Sequence, residues 1–314
     1  MTNAGTFNLA KDSNRRTLLI ALFRPFSIRM LLKSEAIGTI TEDPDARIVI
    51  LVPDPENPEL AKLAKPGNVF LERLDMDAAS IGQRGSRFRS FLRTVRLYTY
   101  NERSGVRLTT RDAMVHEFLE TQRYNEISFR GKQFLKLTVF LPRILGLAKF
   151  LRTGWRSLEK RLYAIPFHEK IFAKYNPDLL VVSSLGYGSD ELLMWQARRH
   201  NTKIVSIIQS WDNTTNKGYP GAQPDAVIAW SETMRSEMVD LLDISPEKIY
   251  VEGIPHWDNY FRQTEANKID KNSMLRELGL APDKKTILLS LSSHKMYRPN
   301  TDLCRILVKG IQSG

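Results

Sequence analysis

The strongest constraint in this sequence is a series of short runs dominated by β-branched and other apolar residues, each closed by a polar loop. They are Thr17–Phe23, Arg47–Val52, Val69–Leu74, Leu179–Ser183, Ile204–Ile208, Ala226–Trp230 and Ile249–Val251. Strands with one wet face alternate apolar and polar residues; these runs are apolar at successive positions and must be covered on both faces. Helical patterns separate them, at Ile28 to about Ile40, 58–65, Glu191–His200 and 232–242. Strands alternating with helices predict an α/β fold, a Rossmann-like parallel sheet buried under helices. Sheets of this kind bind ligands at the loops that follow the C-terminal ends of their strands.

The loop after Ile204–Ile208 runs from Gln209 to Gly218 and is dense in hydrogen-bonding groups around a single aromatic, Trp211. Trp211 could stack on a sugar or base while Asp212, Asn213 and Lys217 bind hydroxyls. Alternatively, Trp211 plugs a domain interface and Asp212 or Asn213 forms an Asx turn. In Ser184–Asp190, Gly186 and Gly188 would let the backbone approach a ligand, or simply shape a βα turn, and Ser189 or Asp190 can cap the next helix. Arg24, Ser27 and Arg29 follow the first strand where a phosphate or acceptor would meet a helix N-terminus; the plainer alternative is a cap at Ser27 with two solvated arginines. No Gly-x-Gly-x-x-Gly follows that strand, so the dinucleotide fingerprint is absent there.

Between Ile81 and Phe172 strand patterns vanish and the segment predicts a helical insertion. It carries 19 Lys and Arg against 7 Asp and Glu, a net of +12, which leaves −1 for the rest of a chain whose formal charge is +11. Its densest part, Arg130–Arg161, predicts a basic amphipathic helix with Trp155, after a start or kink at Pro142. Arg143, Lys149, Arg152, Trp155 and Arg156 are the candidate contacts with an anionic membrane surface. The alternative is a helix packed on the sheet whose Lys and Arg stems cover its rim. Nucleic acid is not expected, because there is no zinc-finger spacing and no RNP-like aromatic motif. Cys304 is the single cysteine of 314 residues, which excludes an internal disulfide framework and fits a reducing, cytoplasmic compartment. No metal site is expected, and no run is apolar enough to span a membrane.

The series PDAVIAWSETMRSEMV, PEKIYVEGIPHWDNYF and LGLAPDKKTILLSLSS resembles the inter-domain region of GT-B glycosyltransferases, the UDP-glycosyltransferase and glycogen phosphorylase-like superfamily. Val251, Gly253 and Pro255 match the V-x-G-x-P with which the N-terminal domain of that family ends. The resemblance covers roughly 17–60 and 174–300. It implies two Rossmann-like domains facing a cleft, the first taking the acceptor and the second a nucleotide-sugar. The organisation expected is a leader at 1–16, an acceptor domain at 17–261 with the basic insertion 81–172, a linker at 262–284, and at 285–314 the start of a second Rossmann-like domain. Strand Lys285–Leu291 and helix Asp302–Ile311 would open that domain, which a full core would continue by on the order of 100 residues; the chain thus reads as a fragment or truncated product.

The resemblance further implies transfer of a sugar to a polysaccharide or lipid-linked acceptor, without a bound cofactor or metal, by an enzyme peripheral on the inner membrane face. An inverting reaction needs a base for the acceptor hydroxyl, and Asp212, His256 and Asp54 are the candidates. Each has a plainer alternative, as a capping carboxylate or a surface histidine. Ser292, Ser293, His294 and Lys295 would face the donor phosphates. Other readings stay open: a sugar-nucleotide 2-epimerase, a polyol-phosphate transferase of the same architecture, or a non-catalytic partner of a complete enzyme at the membrane surface.

Overall fold

The computed structural model describes residues 15–32, 34–62, 68–77, 87–104, 128–163, 166–215, 217–261, 270–291 and 300–313. The chain divides into two units, Met1–Phe261 and Arg262–Gly314. The first is built on seven strands: β1 (Arg16–Ala21), β2 (Ala46–Val52), β3 (Val69–Arg73), β4 (Leu179–Val182), β5 (Lys203–Ile207), β6 (Ala226–Ala229) and β7 (Ile249–Val251). All pair in parallel, in the order β3-β2-β1-β4-β5-β6-β7. This is the expected Rossmann-like α/β fold.

The register sets β1 between β2 and β4, with Leu18 opposite Ile48 on one side and Leu179 on the other. The chain builds outward from β1 through β2 to β3, returns to the other flank of β1 as β4, and then builds outward again. Connections therefore leave β1 and β4 in opposite directions, and the reversal opens a crevice between their C-terminal ends.

Side chains alternate between two apolar layers. Leu19, Ala21, Val49, Leu51, Leu180 and Val182 share one buried cluster with Phe172, Leu193 and Trp195. Ile20, Ile48, Ile50 and Val52 share another with Leu31, Ile37 and Leu60. With Ile48–Val52 fully buried on both faces, β2 shows why no polar alternation marks these strands.

Helix α1 (Pro25–Leu32) and helix α2 (Glu35–Glu42) replace the single helix expected over Ile28–Ile40. The break falls at Ser34, whose backbone is extended and whose amide and hydroxyl both donate to Leu31 O, at 3.1 and 3.0 Å. That local bonding competes with the helix ladder. A one-turn helix, α3 (Pro58–Ala61), precedes β3. The described part of the basic insertion is helical, as expected: α4 (Arg87–Leu97), α5 (Phe129–Gly146), α6 (Lys149–Tyr163) and α7 (Glu169–Tyr175). α4, α5 and α6 pack on one another. Pro142 lies inside α5, which runs through it. The unit closes with α8 (Ser189–Arg199), α9 (Glu232–Leu242) and α10 (Asp258–Phe261). Ser231 caps α9 by accepting from Met234 N at 3.2 Å, as its sequence predicts.

The second unit holds α11 (Lys271–Glu277) and α12 (Asn300–Gln312). The strand expected at Lys285–Leu291 does not form: these residues join no ladder, and Ile287 and Leu288 are exposed. A lone apolar run has no neighbour to satisfy its backbone groups, and β structure exists only in pairs.

Candidate functional site

The crevice at the strand reversal is a cleft of about 480 Å³, the size of a small-molecule site. Phe23, Arg24 and Phe26 enter it from the end of β1 and the start of α1. Ser183, Ser184, Tyr187, Gly188, Ser189 and Asp190 come from the turn between β4 and α8. Gln209, Ser210, Asp212, Asn213 and Lys217 come from the loop after β5, and Met76 from beyond β3.

Four buried side chains at the cleft floor form one directed chain. The Gln209 amide donates to Ser27 Oγ; Ser27 Oγ donates to Ser183 Oγ at 3.3 Å; Ser183 Oγ donates to Asp190 Oδ2 at 3.5 Å. Each hydroxyl accepts one bond and gives one, which orients both rotors and ties β5, α1, β4 and α8 together. Ser27, expected as an acceptor-binding or capping residue, is fully buried in this chain.

Asp190 ends the chain with one oxygen unused. It is 5% exposed, and Oδ1 has no hydrogen-bond partner. Burial raises its pKa from 3.8 to about 6, against the opposing pull of the Ser184 hydroxyl, Arg24 and Ser183. A buried carboxyl with a free oxygen in a cleft, poised near neutrality, is the arrangement of a general base. Sequence reasoning assigned Asp190 only to capping; the Gly-x-Gly-Ser-Asp run after a buried strand was the available signal.

Gly186 and Gly188 shape this turn with φ of +82° and +59°. A Cβ on Gly186 would lie 2.8 Å from Ala222 O, so the close backbone approach is real, though made to protein.

The loop after β5 is held from beneath. Tyr187 Oη donates to Asn213 O and Gly218 O, both at 3.1 Å, and Tyr100 Oη donates to Thr215 O at 2.8 Å. Gly218 N donates to Tyr100 Oη at 2.8 Å. Gly218 has φ +80°, and a Cβ there would fall 1.7 Å from Leu97 O. Gly218→Ala is therefore expected to destabilise the fold by about 2–3 kcal/mol, through left-handed strain plus overpacking; urea unfolding would measure it, and a loss under about 1 kcal/mol would show that the loop shifts freely.

Above these anchors Asp212 and Lys217 face the cleft 3.7 Å apart. Asn213 is buried at its wall, and Trp211 stands 72% exposed beside it. An exposed Trp beside a polar cleft is free to stack on a ligand and does not plug this unit's core.

The other candidate bases lie elsewhere. Asp54 is exposed outside the cleft, where Oδ1 accepts from Glu56 N at 3.2 Å in a local turn. His256 does not line the cleft; it sits edge-on to Phe26 at 5.7 Å and 5.9 Å from the Trp230 ring. Burial, helped by Arg29, lowers its pKa from 6.5. Ser292, Ser293, His294 and Lys295 lie outside the described residues.

Of the basic candidates, Arg143 and Lys149 are exposed, whereas Arg152 is 3% exposed, which corrects its expected place on a solvent face. It donates twice to Asp243, at 2.7 and 2.8 Å, and to Gly146 O at 2.6 Å. Trp155 donates its indole N–H to Leu92 O at 2.9 Å, and Arg156 stacks over Tyr219 at 5.3 Å. Arg152 and Arg156 fasten the insertion to the sheet unit because, once buried, a guanidinium needs partners on several sides, whereas the Trp155 bond ties two helices of the insertion together. Among the described residues no three of His, Cys, Asp and Glu come together in a way that could hold a metal ion. Compared with known families, the chain matches none, and it has no significant match among curated proteins.

Proposed function

We propose that the first unit is the acceptor-binding half of a GT-B-type glycosyltransferase, which moves a sugar from a nucleotide-sugar to a hydroxyl of a polyhydroxylated acceptor. The supporting observation is the buried Asp190 carboxyl at the floor of the cleft, with Oδ1 unbonded. In this reading the acceptor stacks on Trp211 and hydrogen-bonds to Asp212, Asn213 and Lys217. Its reacting hydroxyl donates to Asp190 Oδ1. As the oxygen attacks the anomeric carbon, Asp190 takes the proton and the nucleotide diphosphate leaves with the bonding pair of the broken C–O bond. Asp190 replaces Asp54 and His256, which do not line the cleft, and is preferred as the base to Asp212, which lines it but is paired with Lys217 at 3.7 Å. A phosphate would be repelled at this floor, whereas a hydroxyl completes it.

The test is nucleotide release from a panel of nucleotide-sugars, with and without saccharide acceptors. The base acts deprotonated, so the acceptor-dependent rate should rise with pH and level off above about 6. Trp211→Ala with Asp212→Asn should raise the acceptor KM about tenfold or more with a smaller effect on kcat. Turnover that needs no acceptor would favour an epimerase instead, and saccharides that leave Trp211 fluorescence and turnover unchanged would sink the proposal.

A further inference from the structure

The basic insertion divides its charges. Arg96, Arg152 and Arg156 point inward to partners, and what remains outside along α5 is unusual. Exposed residues recur there every third or fourth position, through Leu137, Phe140 and Ile144 to Leu147 at the C-cap. A solvent-facing stripe is normally polar; this one is apolar, and Phe140 is 58% and Leu147 47% exposed. The opposite side, with Thr138, Pro142 and Leu145, is the buried one. Lys136 and Arg143 flank the stripe, and exposed Lys149 and Phe150 continue it beyond the helix end. No Asp or Glu occurs anywhere from Phe129 to Leu158.

Charge decides between the possible occupants. A second copy seated on this stripe would bring Lys136 and Arg143 against the same cations, with no acid on either α5 to offset them. A nucleic acid would use the cations and leave Leu137, Ile144 and Leu147 in water. An anionic lipid surface uses both, apolar side chains among the acyl chains and cations at the headgroup phosphates. At 18 residues, α5 would lie along the interface for about 27 Å, and no described helix is long and apolar enough to cross a membrane. We propose that α5 docks the protein on an anionic lipid surface, with Leu137, Phe140 and Ile144 inserted and Lys136, Arg143 and Lys149 on the headgroups. The inference is independent of the chemistry assigned to the cleft.

The experiment is co-sedimentation of the full chain with vesicles of phosphatidylcholine alone, and of phosphatidylcholine mixed with phosphatidylglycerol. Binding is expected to the mixed vesicles only, and to weaken as salt rises. Phe140→Ser with Ile144→Ser should lower it about tenfold or more, as should Lys136→Glu with Arg143→Glu. All four positions are exposed, so both variants should melt like the parent. Failure to bind the mixed vesicles would overturn the proposal, as would binding that survives the Phe140 and Ile144 substitutions. If the parent instead sediments as a dimer that the same pair dissociates, the stripe belongs to a second copy.

Discussion

Asp190→Asn should abolish acceptor-dependent turnover and at the same time raise the melting temperature at neutral pH. The two effects share a cause. Asp190 is buried with one oxygen unbonded, so its charged form is held without full compensation, and its pKa stands at about 6 against an ordinary 3.8. Folded protein binds that proton more tightly than unfolded chain does. The group's contribution to stability is therefore complete below about pH 3.8 and is lost as pH rises through about 6. Asn carries no charge, keeps the shape and still accepts from Ser183, so near pH 7.5 the variant should gain about 2–3 kcal/mol, or several degrees in Tm. Removing a general base should lower kcat by about 10² to 10⁴-fold. Calorimetry at pH 5 and pH 7.5, beside turnover, would check both halves. A variant that is inactive and no more stable at pH 7.5 would mean that Asp190 serves the fold, and one that is stabilised and fully active would remove it from the chemistry.

Arg96→Met should be the most destabilising single substitution in the insertion. Arg96 is 1% exposed. Its guanidinium donates to Glu159 at 2.5 and 3.2 Å, to Glu191 at 2.9 and 2.8 Å, and to Tyr219 O at 2.6 Å. One cation thus serves two buried carboxylates, one from α6 and one from α8. Burial, reinforced by Glu159, pushes Glu191 up to about 7 in spite of Arg96. Its share of stability accordingly declines as pH rises from 4.5 to about 7. Without Arg96 the carboxylates would lose the cation that hydrogen-bonds to both and keep only the more distant charge of Arg93, which costs about 3–5 kcal/mol. The urea midpoint should fall with the slope unchanged. Adding Glu159→Leu and Glu191→Gln should recover much of the loss, because the penalty lies in the stranded charges. A cost below about 1 kcal/mol for Arg96→Met alone would show that water or Arg93 takes over. Glu191 directly follows Asp190 in the first turn of α8, so this ion cluster also sets where the cleft carboxyl stands.

Much of the architecture was written in local patterns. The seven apolar runs became seven parallel strands with ends within one or two residues of those expected, since burial on both faces of the inner strands and β-branched, apolar runs at the edges leave a signature that needs no partner to be read. Ser231 announced its helix for the same reason, as a cap bonds to residues three positions away. The polar loop after β5 was visible as a cleft wall, because Asp212, Asn213 and Lys217 sit together in sequence. Lys285–Leu291 shows where this fails: its composition is that of a strand, but a strand also needs a neighbour, which composition cannot supply.

Periodicity and short-range bonding set the class of fold, the crevice side of the sheet and the polar character of its loops. Which polar groups are brought together depends instead on contacts between distant parts of the chain. Ser27, Ser183, Asp190 and Gln209 span 182 residues and meet at one floor because β1, β4 and β5 are neighbours. Arg96, Arg152 and Arg143 are chemically alike in sequence, yet two are buried in ion clusters and one lies in solvent. Desolvation and partner geometry, which depend on what packs around a side chain from distant parts of the chain, separate a buried carboxyl with a raised pKa from a cap and a structural arginine from a surface one.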